Sequence, residues 1–171
     1  MTKGYEMYSK LISTLLATIT VFVTVCGLTL SSGASILPKF GSIVKDGDLS
    51  FRPTNLVCNI RQVGSGFFAA TPTGQYCRIT LWIYNHSKES DTLDITSFYA
   101  ADKKHRQYPG DDNADSAGNP TLNNGIGLDF TTLNPGLSIT GFVYFDMPKG
   151  DSPTYLIFHD SFLSNGVEEK A

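Results

Sequence analysis

From Gln75 to Asn85 the chain alternates with period two. Cys77, Ile79, Leu81 and Ile83 fall on one face; Tyr76, Arg78, Thr80, Trp82 and Tyr84 fall on the other. Successive side chains of a strand point to opposite sides, so this stretch predicts a strand with one wholly apolar face. Its β-branched and aromatic content fits a pleated surface, and we read it as the central strand. Leu49–Ile60 reads as a first long strand, in which Pro53 removes a ladder donor and so marks an edge or a bulge. Residues 92–101, 105–108 and 128–133 read as shorter strands. Residues 137–147 alternate again, with Leu137, Ile139, Val143, Phe145 and Met147 on one side and Phe142, Tyr144 and Asp146 on the other. Residues 155–159 form the last strong apolar run. Asp46-Gly47-Asp48 and Asn134-Pro135-Gly136 are turn signals. The sequence shows neither an amphipathic helix of useful length nor an internal repeat. About seven strands at this spacing predict an all-β, two-sheet antiparallel β-sandwich.

The N-terminus follows a different pattern. Lys3 and Lys10 precede residues 11–30, which carry no charge, and small residues follow from Ser31 to Ser35. This is the layout of a secretory signal over residues 1–34, with Ser32 and Ala34 before the cut; Met7 offers an alternative start. Two other readings stay open. A run of about 20 apolar residues is long enough to remain as an uncleaved anchor. Cys26 could carry a lipid, although Val25 stands where a small residue is wanted. All three readings put the domain outside the cytoplasm, secreted or at the cell surface. Residues 35–45 then read as a linker, 46–160 as the sandwich and 161–171 as a charged tail.

The chain has 171 residues and a net charge of −3, with no run of Lys or Arg to mark a phosphate-binding face. Nucleic acid is therefore not an expected partner. Signal removal leaves Cys58 and Cys77, which in an oxidising compartment read as a disulfide, with two buried free thiols as the alternative. The closed loop of about 20 residues would be worth ~3 kcal/mol. A metal site is disfavoured, because two cysteines without clustered histidines do not complete a tetrahedral shell. Between the cysteines, residues 61–74 read as a loop. Its centre, Phe67-Phe68-Ala69-Ala70, is expected to fold back on the domain; otherwise it is an exposed aromatic tip.

Taken in order, Val44-Lys45-Asp46-Gly47-Asp48-Leu49-Ser50-Phe51, Cys58, Gly74-Gln75-Tyr76-Cys77, Trp82-Ile83-Tyr84-Asn85, Asn134-Pro135-Gly136 and Val143-Tyr144-Phe145-Asp146-Met147-Pro148 resemble an exported bacterial family. It is the domain of unknown function 4352 family, similar to the immunoprotective extracellular antigen family, and the likeness covers residues 40–160. The resemblance implies an immunoglobulin-like β-sandwich, exported or lipid-anchored, in a Gram-positive-type bacterium. It implies no enzyme activity and supplies no catalytic residues. The Cys-Trp-Cys core of antibody domains is not reproduced: Cys58 and Cys77 are too close in sequence for an inter-sheet pair, and Trp82 points to the face opposite Cys77.

Candidate chemistry is sparse. His86, His105 and His159 are the only histidines, and the neighbours His159-Asp160-Ser161 on a strand cannot form a triad. Asn85-His86-Ser87 fits a glycosylation acceptor, but reads better as a turn in which Asn85 bonds backbone. Asp111-Asp112-Asn113-Ala114-Asp115 begins like a calcium loop, yet Ser116 and Leu122 stand where glycine and glutamate belong. These acids are expected in a mobile, solvated loop, with a weak ion site at Asp111, Asn113 and Asp115 as the minor alternative. No cofactor is implied. The expected function is a non-catalytic secreted or surface-held binding module for a protein, a peptide or an envelope component. The alternative is a structural or accessory envelope protein held by its N-terminal segment, the only part expected to meet a membrane. The candidate binding residues are the aromatic ones with exposed prospects: Phe67, Phe68, Tyr76, Trp82, Tyr84, Phe142 and Tyr144. N-terminal sequencing of the exported protein is expected to begin at Ser35; a chain that starts at a lipid-modified Cys26 or remains intact in the membrane fraction overturns cleavage.

Overall fold

The computed structural model describes residues 36–118 and 128–171. The signal or anchor expected over residues 1–34, and the cut after Ala34, lie outside them. The described chain folds as two four-stranded antiparallel sheets. The first contains β1 (Val44–Asp46), β2 (Leu49–Ile60), β3 (Gln75–Asn85) and β8 (Ser138–Met147), in the order β1-β2-β3-β8. The second contains β5 (Phe98–Ala101), β6 (Gln107–Pro109), β9 (Tyr155–Phe158) and β10 (Val167–Lys170), in the order β10-β9-β5-β6. A two-stranded ladder of β4 (Asp91–Thr92) and β7 (Thr132–Leu133) lies apart from both sheets. The all-β sandwich expected from the sequence is what the chain forms.

The period-two reading of β3 holds along its length. Cys77, Ile79, Leu81 and Ile83 are wholly buried, and β3 pairs in continuous register with β8 from Gln75 opposite Met147 to Tyr84 opposite Ser138. The inner faces meet at three phenylalanines. Phe51 of β2 stacks on Phe158 of β9 at 5.2 Å between ring centroids and meets Phe98 of β5 edge-on at 5.4 Å. Phe98 and Phe158 meet edge-on at 5.8 Å. Burying rings of this size in offset and edge-to-face contact gives the inter-sheet contact both area and geometry.

Pro53 behaves as its chemistry requires. It lies opposite Leu81 of β3, but β1 pairs only as far as Phe51, so that side of β2 has no ladder to interrupt. Beyond it the register with β3 shifts twice, around Val57, and Asn55 and Asn59 adopt φ of 51° and 64°. Asparagine tolerates this left-handed region better than most residues, and an extra residue in one strand bends it.

Four sequence expectations are corrected. The strand expected over residues 92–101 is broken, because Asp94 accepts from the Thr96 amide at 2.9 Å and turns residues 95–97 into a 3-10 turn. The strand expected over residues 128–133 survives only as β7. The linker expected over residues 35–45 joins the fold: Val44 is buried in β1, and Lys39 bridges Lys170 in parallel. The charged tail expected over residues 161–171 carries β10, which pairs with β9 from Val167 opposite Phe158 to Lys170 opposite Tyr155. A sheet edge is a row of unpaired backbone groups, and these terminal segments cover each other's edges.

The tail hides an unexpected group. Glu169 is 0 % exposed. One carboxyl oxygen accepts from the Ser42 amide at 3.3 Å; the other has no partner. Burial pushes the Glu169 carboxyl up to about 7, against a smaller opposing pull from the Ser42 and Gly41 amides. Below the ordinary glutamate value both folded and unfolded chains hold the proton. As pH rises toward 7 the unfolded chain releases it and the folded chain does not, so folding stability falls over that window. Glu169→Gln is expected to flatten this fall and to stabilise the protein at pH 8 by at most about 3 kcal/mol, since a tenfold change in proton affinity is worth ~1.4 kcal/mol. Thermal melts of both proteins between pH 4 and 8 check this; parallel curves refute it.

Candidate functional site

The outer face of the first sheet is where the expected acidic loop and the expected aromatic surface meet. The stretch 109–127, read from sequence as irregular, contains a seven-residue helix, α1 (Asp112–Gly118). Asp111 caps it by accepting from the Ala114 amide at 2.9 Å, an N-cap contact three residues on. Ala114 beneath it is buried in a second, smaller core with Val63, Ala70, Tyr76 and Tyr144. The close approach depends on Gly118: a Cβ there would lie 2.3 Å from the Tyr144 hydroxyl.

The acidic run is therefore not a mobile, solvated loop. Asp115 is wholly buried and accepts from the Leu128 and Asp129 amides, each at 3.1 Å. Asp111 accepts from the Tyr76 hydroxyl at 3.1 Å with its second oxygen. Asp112 and Asn113 remain exposed. Asp111 and Asp115 serve the fold through backbone and phenol donors. Among the described residues no cluster of three or more His, Cys, Asp or Glu side chains is placed to hold a metal ion.

The disulfide is formed, between Cys58 at the bulged end of β2 and Cys77 of β3, with Cα atoms 4.0 Å apart. It joins neighbouring strands of one sheet, as the short sequence separation required. It also closes the base of loop 61–74. That loop doubles back on itself, with Val63 and Ala70 exchanging backbone hydrogen bonds at 2.9 Å. Asp146 of β8 fastens its far end, accepting from the Thr73 amide at 2.7 Å and the Gly74 amide at 2.9 Å.

Between this loop and α1 runs an open groove of about 1010 Å³. Gly64, Ser65, Phe67, Ala69, Ala70, Thr71 and Thr73 form the loop wall. Asp111, Asn113, Ser116 and Ala117 form the helical wall, and Tyr76 and Asp146 lie on the sheet beneath. Phe67, expected to pack inward, is instead 95 % exposed on a 3-10 turn at the rim. Ala70 takes the buried place in the loop, and the tight turn leaves Phe67 outside.

The aromatic candidates divide into three groups. Phe67 and Tyr76 line the groove, but Tyr76 and Tyr144 are buried, their rings edge-on at 6.0 Å, so neither offers a contact surface. Burial, and then Asp111, raise the Tyr76 hydroxyl well above the usual phenol range. Phe142 is half-buried beneath the Arg78 guanidinium, which sits 4.3 Å from its ring centroid. Trp82 and Tyr84 stack further along β3 at 5.9 Å, and Tyr84 meets His86 at 4.5 Å, away from the groove lining. Phe68 belongs to the same 3-10 turn as Phe67. Sequence reasoning missed Asp146 as a site residue. The signal was present: in the β8 alternation it shares the face of Tyr144, and in the ladder it lies opposite Tyr76.

The three histidines go elsewhere. His86 Nε2 lies 2.8 Å from Ser50 Oγ, His105 stacks on Tyr155 at 4.6 Å, and His159 Nδ1 lies 3.3 Å from the Ser164 carbonyl. Asp160 turns away from His159 and accepts from the Asp48 amide at 3.0 Å, holding the β1–β2 turn. Asn85 is wholly buried, donating to the Glu89 and Leu133 carbonyls at 2.9 and 2.8 Å; it is a turn residue, not a sugar acceptor. The groove offers two carboxylates, hydroxyls, backbone groups and an exposed ring. That set can form hydrogen bonds, ion pairs and apolar contact.

Comparison with known proteins agrees with this architecture. The family model for the domain of unknown function 4352 matches residues 38–169. The chain belongs to that family. Among solved structures it is similar to MPT63, a secreted protein from Mycobacterium tuberculosis, at 19 % identity and a TM-score of 0.55, covering 82 % of this chain and 100 % of that one. It is also similar to the yjhA protein from Bacillus subtilis, at 18 % identity and a TM-score of 0.51, covering 71 % and 81 % of the two chains. An uncharacterized beta-sandwich protein from Clostridium difficile 630 shares 16 % identity with a TM-score of 0.51, covering 78 % and 93 %. At these identities the likeness is one of fold. No curated protein matches the chain.

Cys58→Ser is expected to lower stability by about 3 kcal/mol, because it frees a loop of 19 residues in the unfolded chain. Urea unfolding measures it. The same variant is expected to speed hydrogen exchange at the Val63 and Ala70 amides; unchanged exchange there would show that the loop holds without its tether.

Proposed function

We propose that this protein is a non-catalytic binding module of the bacterial exterior, which holds a protein, peptide or envelope component in the groove between the disulfide-tethered loop and α1. The observation that carries this reading is Phe67. A large aromatic ring, almost fully exposed, stands on the rim of an open groove. The loop that bears it is fixed at its base by a disulfide and at its far end by Asp146. Exposing a ring costs solubility, and fixing it in place lowers the entropy lost when it meets a partner. The disulfide and the secreted neighbour support the location. The absence of turnover is part of this proposal and rests on the family resemblance, which implies no enzyme activity.

The test is affinity capture from envelope and host extracts with the exported chain, its Phe67→Ala variant and its Trp82→Ala variant. Capture is expected to fall several-fold with Phe67→Ala and to persist with Trp82→Ala, which alters a half-exposed ring outside the groove. Capture indifferent to Phe67→Ala sinks the groove reading, and the structural or accessory role in the envelope becomes the better one.

A further inference from the structure

We infer that the groove is built for an extended, basic peptide segment: one with Lys or Arg side chains flanking an apolar residue. The inference rests on the binding-module reading and names the chemistry of its ligand.

Charge is the first argument. Asp111 and Asp146 face the groove, and among the described residues each accepts from neutral donors: Asp111 from the Ala114 amide and the Tyr76 hydroxyl, Asp146 from the Thr73 and Gly74 amides. A carboxylate offers about four acceptor sites. Among the described residues two on each are used, and no Lys or Arg lines the groove. The remaining lone pairs and both negative charges are left to whatever enters. An ammonium or guanidinium group is the donor that neutralises as well as bonds them. An anionic ligand such as nucleic acid or a phosphorylated polymer meets like charge there.

Shape is the second. About 1010 Å³ is at or above the upper end for a small-molecule pocket, and the groove is an open trough. Ser65, Thr71, Thr73, Asn113 and Ser116 place hydroxyl and amide groups along both walls, where the backbone of an extended chain can bond. Phe67 at the rim, with Ala69, Ala70 and Ala117 in the walls, provides an apolar footing beside the acids. Beyond Thr71 the surface changes sign: a separate hollow of about 420 Å³ is lined by Arg61 and Lys149. The acidic groove and the basic hollow therefore predict opposite preferences from adjacent positions.

The test uses the exported chain and three fluorescein-labelled probes: Gly-Lys-Leu-Lys-Leu-Gly, the same peptide with Gln for Lys, and the same with Glu for Lys. The basic probe is expected to bind about tenfold or more tighter than the neutral one, and to weaken as salt rises. Asn113→Lys/Ser116→Lys adds positive charge at two exposed helical positions and is expected to weaken the basic probe at least about tenfold. Phe67→Ala is expected to weaken it several-fold, and Lys149→Ala to leave it unchanged. Matched melting curves show that the variants are folded. If the basic probe binds no tighter than the neutral one, or ignores Asn113→Lys/Ser116→Lys, the inference is wrong. Should Phe67→Ala then weaken all three probes alike, the groove still binds, without charge preference. If no probe binds but extract capture still depends on Phe67, the inference falls and the binding-module reading stands. If capture is also indifferent to Phe67, both fall.

Discussion

The contact among Phe51, Phe98 and Phe158 is the constraint on which the sandwich depends. Phe51 comes from the first sheet, and Phe98 and Phe158 come from adjacent strands of the second. Each ring is buried against the other two, so neither sheet can shed its apolar face to water without separating them. A buried ring of this kind is worth roughly 1.5–3 kcal/mol in area alone. The contact also fixes register. A one-residue slip of β2 would turn Phe51 outward and expose every inner side chain of the strand. With β2 fixed, its ladder aligns β3, and β3 aligns β8.

Fixing the inner face leaves a problem on the outer one. Tyr76 and Tyr144 project there from β3 and β8, and two tyrosines side by side are a large apolar area to leave in water. Loop 61–74 and α1 solve it by closing a second small core over the pair. The loop can do so because its two ends leave β2 and enter β3 beside the disulfide. The helix can do so because Asp111 caps its start and Gly118 lets its end approach Tyr144. The groove is the seam between these two covers. Its acids are there first for the fold, and their remaining acceptor capacity faces the seam.

The readable parts of this chain were those with a repeated environment. β3 and β8 alternate because each has one face in the core along its whole length, and their residues carry that period plainly. The same alternation placed Tyr76, Tyr144 and Asp146 on the outer face, but it could not say what covers that face. That depends on residues 61–74 and 112–118, distant in sequence from one another. α1 escaped notice because seven residues make too few turns to show an apolar period, and its stability comes from tertiary packing of Ala114 and side-chain caps. Asp111 followed three residues later by Ala114 is a capping spacing, but in a run of Asp and Asn it also resembles a solvated loop. β10 was hidden by composition. Val-Glu-Glu-Lys reads as surface, since glutamate is rarely buried, and the burial of Glu169 follows from edge covering by the lead-in, which no local pattern encodes.

Asp115 and Glu169, the two acids wholly buried among the described residues, show how differently two parts of the fold are held. Asp115 receives two backbone amides at 3.1 Å and so joins α1 to Leu128 and Asp129 with both carboxyl oxygens bonded. Glu169 receives the Ser42 amide at 3.3 Å, with the Gly41 amide beside it, and leaves one oxygen without a partner. A satisfied buried acid adds rigidity, whereas an under-satisfied one lowers the free energy needed to open its surroundings. Local opening should therefore start where β10 meets Gly41 and Ser42, and spare the groove, where the disulfide, Asp146, Asp111 and Asp115 each fix a different piece of backbone. The proposed recognition of an extended chain would gain from that arrangement, because walls already fixed lose little further entropy on binding. The weaker end lies next to the segment that leads into the domain. Opening there would free β10 at the edge of the second sheet, whereas the groove stands on Tyr76 and Asp146 of the first.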